Sequence, residues 1–169
     1  MSKLYEEGNL LFDFTAFTAV YRFDNSQTNP YGMKSVDFVA ETENRLYFIE
    51  IKDYQHPKAP LKQRNDDKEM LINAAEGKGV FNIEMGVKIK DSILRRYTLG
   101  DKFTKEVIYL LLINQDELGE YERGLLKTRI SDHVPSGLNS NIYKEFTRIS
   151  FDLVNANQLK FHGIECTSK

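Results

Sequence analysis

The first third of the chain contains short runs of apolar and β-branched residues that predict β-strands. Residues 9–17 and 18–23 are rich in Phe, Thr, Val and Tyr, and they are followed by a polar loop that reaches residue 32. Two further runs, 35–41 and 46–53, are separated by a polar tetrad of sequence TENR. Because a short polar segment between two strand-like runs is typical of a β-hairpin, we expect these two strands to pair.

A helical pattern replaces the strand pattern after residue 65. The first predicted helix covers 66–77, with Asp66 as its N-terminal cap and Gly77 at its end. The second predicted helix covers about 79–99 and has two distinct faces. We expect its packed face to comprise Val80, Ile83, Val87, Leu94 and Tyr97. We expect its polar, basic face to comprise Lys88, Ser92, Arg95 and Arg96.

The last part of the chain returns to strands. Residues 106–114 form an uninterrupted apolar segment, which predicts a strand buried on both faces. A helix is predicted next, with an apolar stripe of Leu118, Tyr121, Leu125 and Ile130, and residues 146–154 alternate as in a final strand. This order of elements predicts an α/β fold with a central mixed β-sheet flanked by helices, in a single domain over 1–169.

Composition excludes several classes of protein. The 169 residues are 41% hydrophobic and 28% charged, which argues against disorder, and the longest strongly apolar run, 107–113, is far shorter than the roughly 20 residues of a membrane span. Cys166 is the only cysteine, so neither an internal disulfide nor a cysteine-rich zinc site can form. Without a secretory pattern at the N-terminus, we expect a cytoplasmic protein with no membrane partner.

The net charge of −2 conceals an uneven distribution of charge along the chain. Residues 1–50 carry four basic and eight acidic side chains, a sum of −4, whereas residues 51–105 carry twelve and eight, a sum of +4. Such a distribution is compatible with a cation site beside a phosphate-binding surface, and equally with ordinary solvated faces.

The predicted hairpin places charged residues together. With a symmetric turn, paired positions sum to 87, so Asp37 lies opposite Glu50, and Lys52 shares their face. We expect the opposite face to be entirely apolar, with Val36, Phe38, Ala40, Tyr47, Ile49 and Ile51. Two carboxylates about 5 Å apart repel by on the order of 3 kcal/mol at an effective dielectric constant of 20. A divalent cation would relieve this repulsion, and an all-oxygen site suits Mg²⁺ or Mn²⁺.

An Asp on one strand, followed on the next by an acid, any residue and a Lys, resembles the PD-(D/E)XK superfamily of restriction endonuclease-like nucleases. Here the motif consists of Asp37 and the triplet Glu50-Ile51-Lys52, while Ser35 and Val36 replace the motif's usual Pro. The resemblance implies a restriction endonuclease-like fold and metal-dependent hydrolysis of phosphodiester bonds in DNA or RNA. It implies that Asp37, Glu50 and the carbonyl of Ile51 bind the metal. It also implies that Lys52 orients or activates the attacking water and contacts the scissile phosphate.

The resemblance also implies features outside this motif: a further acidic residue, a basic surface for nucleic acid and a second subunit. Many members of the superfamily add a Glu from an N-terminal helix, and Glu6 and Glu7 are the early candidates here. Lys88, Arg95 and Arg96 could hold a nucleic-acid backbone, DNA above all, although a solvated helix face explains them equally well. A homodimer is also compatible with a small nuclease of this type.

Two other interpretations of the hairpin remain open. In the first, Lys52 pairs with Glu50 on a surface ladder while Asp37 points into water. In the second, the nuclease fold is kept without catalysis, and the chain is a nucleic-acid or protein binding module.

Overall fold

The computed structural model describes residues 3–24, 32–136 and 148–169, which form an α/β protein. In chain order its strands are β1 (Leu4–Glu7), β2 (Leu10–Asp13), β3 (Ala19–Arg22), β4 (Phe38–Glu41), β5 (Arg45–Asp53), β6 (Glu106–Asn114), β7 (Ile149–Val154) and β8 (Glu165–Ser168). Its α-helices are α1 (Leu61–Ala75), α2 (Phe81–Thr98) and α3 (Glu120–Ser131), and a 3₁₀ segment covers Ala156–His162. The predicted loop before residue 32 and the start of the predicted strand 146–154 lie partly outside the described residues.

The larger sheet has the order β3-β4-β5-β6-β7 and is mixed. Strands β3, β4 and β5 pair antiparallel, whereas β5, β6 and β7 run parallel. The helices α1 and α2 form the crossover between β5 and β6, and α3 connects β6 to β7, because parallel strands need long connections. The predicted α/β class with a mixed sheet is therefore confirmed.

The two faces of this sheet are covered by different layers. The core on one face combines side chains of the sheet, such as Phe48 and Tyr109, with Leu71 of α1, Ile89 of α2 and Leu126 of α3. The core on the other face contains a second, three-stranded sheet of order β1-β2-β8. This smaller sheet was not predicted, because β1 and β8 are only four residues long and lie at opposite ends of the sequence.

The first residue of α1 and the buried side of α2 differ from the prediction. Helix α1 begins after Pro60, five residues before Asp66, since the fixed φ of proline suits the start of a helix. Helix α2 buries the other of its two apolar stripes, namely Phe81, Met85, Ile89 and Ile93 together with Asn82, Gly86 and Ser92. The apolar stripe predicted for α3 is confirmed in part: Leu118 and Ile130 are buried and Leu125 packs against the core, whereas Tyr121 is exposed. Leu126, which was not predicted, is buried as well. Across the ranges that the structure describes, no helix has the length and apolar character needed to cross a bilayer.

Candidate active site

The register of the β4–β5 hairpin places Asp37 beside Glu50. Phe38 pairs with Ile49 and Val39 with Phe48, so paired positions sum to 87 as predicted. Strand β4 begins one residue after Asp37, and the main-chain oxygen of Asp37 accepts a hydrogen bond from the Phe23 N–H at 2.8 Å. Asp37 therefore lies where the hairpin opens, next to the strand position that Glu50 occupies.

One detail of the predicted hairpin is wrong. Val36 packs in the helix-side core with Val39, and not on the opposite face with Phe38. The reason is that the ladder does not extend back to this residue: the Val36 N–H donates instead to the Ser92 hydroxyl of α2, at 3.0 Å. The segment before β4 is thus attached to helix α2.

The Asp37 carboxylate is tied to the neighbouring strand. Its Oδ2 accepts a hydrogen bond from the Ile51 N–H at 2.6 Å. Burial, and next the charge of Glu50, raise the pKa of Asp37 to about 7, against the opposing effects of the Ile51 N–H, Lys88 and Lys52. Near neutral pH this carboxyl group consequently exchanges between its protonated and ionised forms.

Glu50 is fully buried in the middle of the site. Its Oε1 lies 2.7 Å from Nζ of Lys52 and 2.7 Å from Nζ of Lys88. Both distances are those of close ion pairs, and Oε2 has no hydrogen-bond partner among the described residues. A buried carboxylate oxygen without a partner is costly, so this atom indicates a place for a ligand that bonds to oxygen.

Lys88 reaches this site from helix α2, although the sequence placed it on a basic face, either for contact with nucleic acid or for solvation. The stripe that α2 buries includes Met85 and Ile89, which puts Lys88 at the margin of the packed face, directed at the end of the sheet. Its side chain is largely buried. Burial lowers the pKa of Lys88, but the charges of Glu50 and Asp37 more than offset this, so that its pKa lies above the usual value and the group is charged.

The other two basic candidates have structural partners. The Arg95 guanidinium donates to the Phe23 carbonyl at 2.5 Å and to the Ser35 hydroxyl at 3.0 Å, and it stacks on the Phe23 ring. Arg96 pairs with Glu41 at 2.9 Å and with Asp101 at 2.5 Å. These contacts hold α2 against the segments on either side of Asp37, so both arginines support the site from inside the protein.

Glu6 and Glu7 lie elsewhere in the molecule. Both belong to β1 in the smaller sheet, where Glu7 pairs with Arg22 and Glu6 with Lys169, each at 2.5 Å. Within the described ranges there is no group of three or more His, Cys, Asp or Glu side chains placed to hold a metal ion. Protein ligands for a cation would therefore be two carboxylates and a main-chain oxygen.

Ile51 supplies a suitable main-chain oxygen. Its N–H is directed at Asp37, and the N–H and C=O of one residue in an antiparallel strand point to the same neighbour. Its side chain lies on the opposite face, in the core beneath the smaller sheet. The backbone of Ile51 thus joins the Asp37 side of the site while its side chain anchors the strand.

No protein-family model, no curated protein and no solved structure matches this chain. The relation to the PD-(D/E)XK nucleases is accordingly a hypothesis that depends on Asp37, Glu50 and Lys52 themselves.

Proposed function

We propose that this protein is a Mg²⁺- or Mn²⁺-dependent nuclease that hydrolyses phosphodiester bonds, with Asp37, Glu50, Ile51 and Lys52 at its active centre in a restriction endonuclease-like fold. The observation that carries the proposal is the buried Oε2 of Glu50, which has no hydrogen-bond partner in the described part of the chain, beside a second carboxyl group whose pKa is raised. DNA is the first substrate to test.

The charge of the site supports a cation in addition to the two lysines. Lys52 and Lys88 both contact Glu50, yet the pKa of Asp37 remains raised to about 7. Two ammonium groups therefore do not fully stabilise the second negative charge, and the site takes up a proton instead. A divalent cation can replace that proton, because it brings more charge and bonds directly to carboxylate oxygens.

The donor atoms fit a hard cation. Asp37, Glu50 and the Ile51 carbonyl offer only oxygen, and Mg²⁺ characteristically binds one or two carboxylates and fills its remaining positions with water and substrate phosphate. A divalent cation held there would stabilise negative charge on the phosphoryl oxygens and make water easier to ionise.

The two lysines have complementary roles in the proposed reaction. The side chain of Lys52 is partly exposed, so its ammonium group can contact a phosphate arriving from solvent and orient the attacking water. The more deeply buried Lys88 holds the Glu50 side chain in place before substrate binds. Preorganised charges of this kind stabilise a transition state because they need little rearrangement during the reaction.

A cleavage assay tests the proposal directly. The wild type is expected to cut labelled DNA or RNA with Mg²⁺ or Mn²⁺ and not with EDTA, whereas Asp37→Asn and Lys52→Met are expected to lose at least about 100-fold in rate. Asp66→Asn is the matched control, because Asp66 begins the same acid-x-Lys spacing on the exposed surface of α1. Equal cleavage by wild type and Asp37→Asn would reject the proposed site.

One observation favours a second function, that of a binding module without catalysis. The ion pairs of Lys52 and Lys88 with Glu50 can stabilise the hairpin without any metal. Nucleic-acid binding that is the same with Mg²⁺ and with EDTA, together with no cleavage of DNA or RNA, would support this alternative.

A further inference from the structure

Helix α2 carries a stripe of large apolar residues on the side that faces away from the core. Val80, just before the helix, is 64% exposed, and within the helix Ile83 is 51%, Leu94 is 54% and Tyr97 is 65% exposed. With 3.6 residues per turn, these residues lie almost opposite Phe81, Met85 and Ile89, which pack in the core. Val87, between Ile83 and Leu94, is half-buried. A row of exposed large apolar residues along one side of a helix is typical of an interaction site.

The spacing of this stripe is that of a helix that pairs with another helix. Positions 80, 83, 87, 90, 94 and 97 follow one another at alternating intervals of three and four residues, which is the a/d repeat of a two-stranded coiled coil. All of these positions are apolar except position 90, which is Lys90. A charged residue in such a seam costs stability unless an acidic side chain lies within reach of it.

The charges beside the stripe indicate what covers it. Lys90 lies toward one margin of the stripe, and Asp91 lies on the other, because consecutive helical residues are 100° apart. Asp91 accepts a hydrogen bond from the Lys34 N–H, but neither Asp91 nor Lys90 forms an ion pair with a described residue. If two copies of α2 lie parallel, the Lys90 margin of each copy meets the Asp91 margin of the other, so each Lys90 lies beside the other copy's Asp91. If they lie antiparallel, the two Lys90 margins meet each other and the two Asp91 margins meet each other.

We propose that a second copy of this chain docks on this face, with the two α2 helices parallel about a two-fold axis. Leu94 then meets Leu94 of the second copy and Tyr97 meets Tyr97. The two Lys90 side chains share a layer of the seam, and each turns outward to the Asp91 of the second copy, which offsets their mutual repulsion. The interface uses the side of α2 remote from Glu50, so it leaves the carboxylate site open. It depends on the exposed stripe and on the charges of Lys90 and Asp91, and it holds whether or not the protein cleaves nucleic acid.

Sedimentation velocity over a range of concentrations tests the oligomeric state. The wild type is expected to be a dimer, and Leu94→Asp is expected to raise the dimer Kd by about tenfold or more, since a charge is buried in an apolar seam. Leu61→Asp is the control, because Leu61 is 73% exposed on α1, and it should leave the Kd unchanged. A wild type that is monomeric at every concentration would overturn the proposal, as would equal effects of the two substitutions.

Cross-linking tests the direction of the helices. In a Cys166→Ala background, Leu94→Cys is expected to form a disulfide-linked dimer on mild oxidation, whereas Tyr121→Cys, at an exposed position of α3, is not. Cross-linking of an Ile83→Cys chain to a Leu94→Cys chain, without linkage of Leu94→Cys to itself, would show antiparallel helices and refute the arrangement.

Charge reversal tests the ion pair between Lys90 and Asp91 of the second copy. Lys90→Asp should weaken the dimer, and Lys90→Asp combined with Asp91→Lys should restore it. A double variant that dimerises no better than Lys90→Asp would count against the ion pair.

Discussion

At the scale of single residues, the ionisation of Asp37 dominates the properties of the site. At pH 7 about half of the Asp37 carboxyl groups carry a proton, because burial and the charge of Glu50 oppose ionisation. The unfolded chain has no such environment, so there the same group titrates near its ordinary pKa of 3.8. Between pH 4 and 7 the folded protein therefore binds more protons than the unfolded chain does. The contribution of Asp37 to the free energy of unfolding consequently decreases as the pH rises through that window.

Asp37→Asn is expected to stabilise the metal-free protein at pH 8. The amide oxygen can still accept the Ile51 N–H, but the variant has no second negative charge beside Glu50. We expect the free energy of unfolding to increase by on the order of 1–3 kcal/mol at pH 8, and by little at pH 4.5, where the wild-type group is protonated. Urea denaturation at the two pH values measures the difference, and an equal effect at both would contradict the raised pKa.

Lys88→Met is expected to destabilise the protein. It removes one of two ammonium groups from a fully buried carboxylate, which costs about 1–3 kcal/mol because Lys52 remains in place. Adding Glu50→Gln to Lys88→Met should recover most of this loss, since the buried charge is then removed as well. Thermal and urea denaturation of both variants would show whether the loss comes from the charge of Glu50; a double variant no more stable than Lys88→Met would exclude that origin.

At the scale of elements, helix α2 connects the site to the rest of the fold. One face packs in the core, Lys88 at its margin pairs with Glu50, and Ser92 and Arg95 hold the segment before β4. Its position depends on a close contact with the end of α3. A Cβ atom on Gly86 would lie 2.4 Å from Cβ of His133 and 2.9 Å from its carbonyl oxygen.

Gly86→Ala is expected to destabilise the protein by about 2–4 kcal/mol, because the methyl group would push α2 away from His133. Gly124→Ala is the matched control, since Gly124 lies within α3. Apart from the adjacent backbone of α3 itself, a methyl group added there would have no atom of the described residues within 4 Å. There the higher helix propensity of Ala should stabilise the protein by about 0.5–1 kcal/mol. Chemical denaturation separates the two effects by sign, and a neutral Gly86→Ala would show that the helices are free to move apart.

At the scale of the whole molecule, cation binding and folding are coupled through the ends of β4 and β5. Asp37 precedes β4, whereas Glu50 and Ile51 belong to β5, so a site built from all three exists only when the hairpin and its helix layer are assembled. A ligand that binds only the folded state raises its stability by RT ln(1 + [L]/Kd), or about 2.7 kcal/mol at 100 times Kd.

Mg²⁺ is expected to raise the melting temperature of the wild type, and to do so more at pH 8 than at pH 6. Below a pKa of about 7 the cation must displace a proton from Asp37, so its affinity should fall by up to about tenfold per pH unit. Differential scanning calorimetry with and without Mg²⁺ measures the shift, with Asp66→Asn behaving as wild type and Asp37→Asn showing no response. A shift of the same size at both pH values would place the cation away from Asp37.

The sequence by itself determined the local features of this protein. The order of the elements that build the larger sheet and its helices follows from the local apolar patterns. The register of the hairpin and the shared face of Asp37, Glu50 and Lys52 follow from alternation along a strand and from a short turn, which are interactions between near neighbours. Only the tertiary structure decided which apolar stripe of α2 is buried, because both stripes have helical spacing and the choice depends on packing against the sheet. That choice brings Lys88 to Glu50 and leaves Leu94 exposed. The pairing of β2 with β8 and the burial that raises the pKa of Asp37 are likewise properties of the assembled chain, since they depend on residues far apart in sequence.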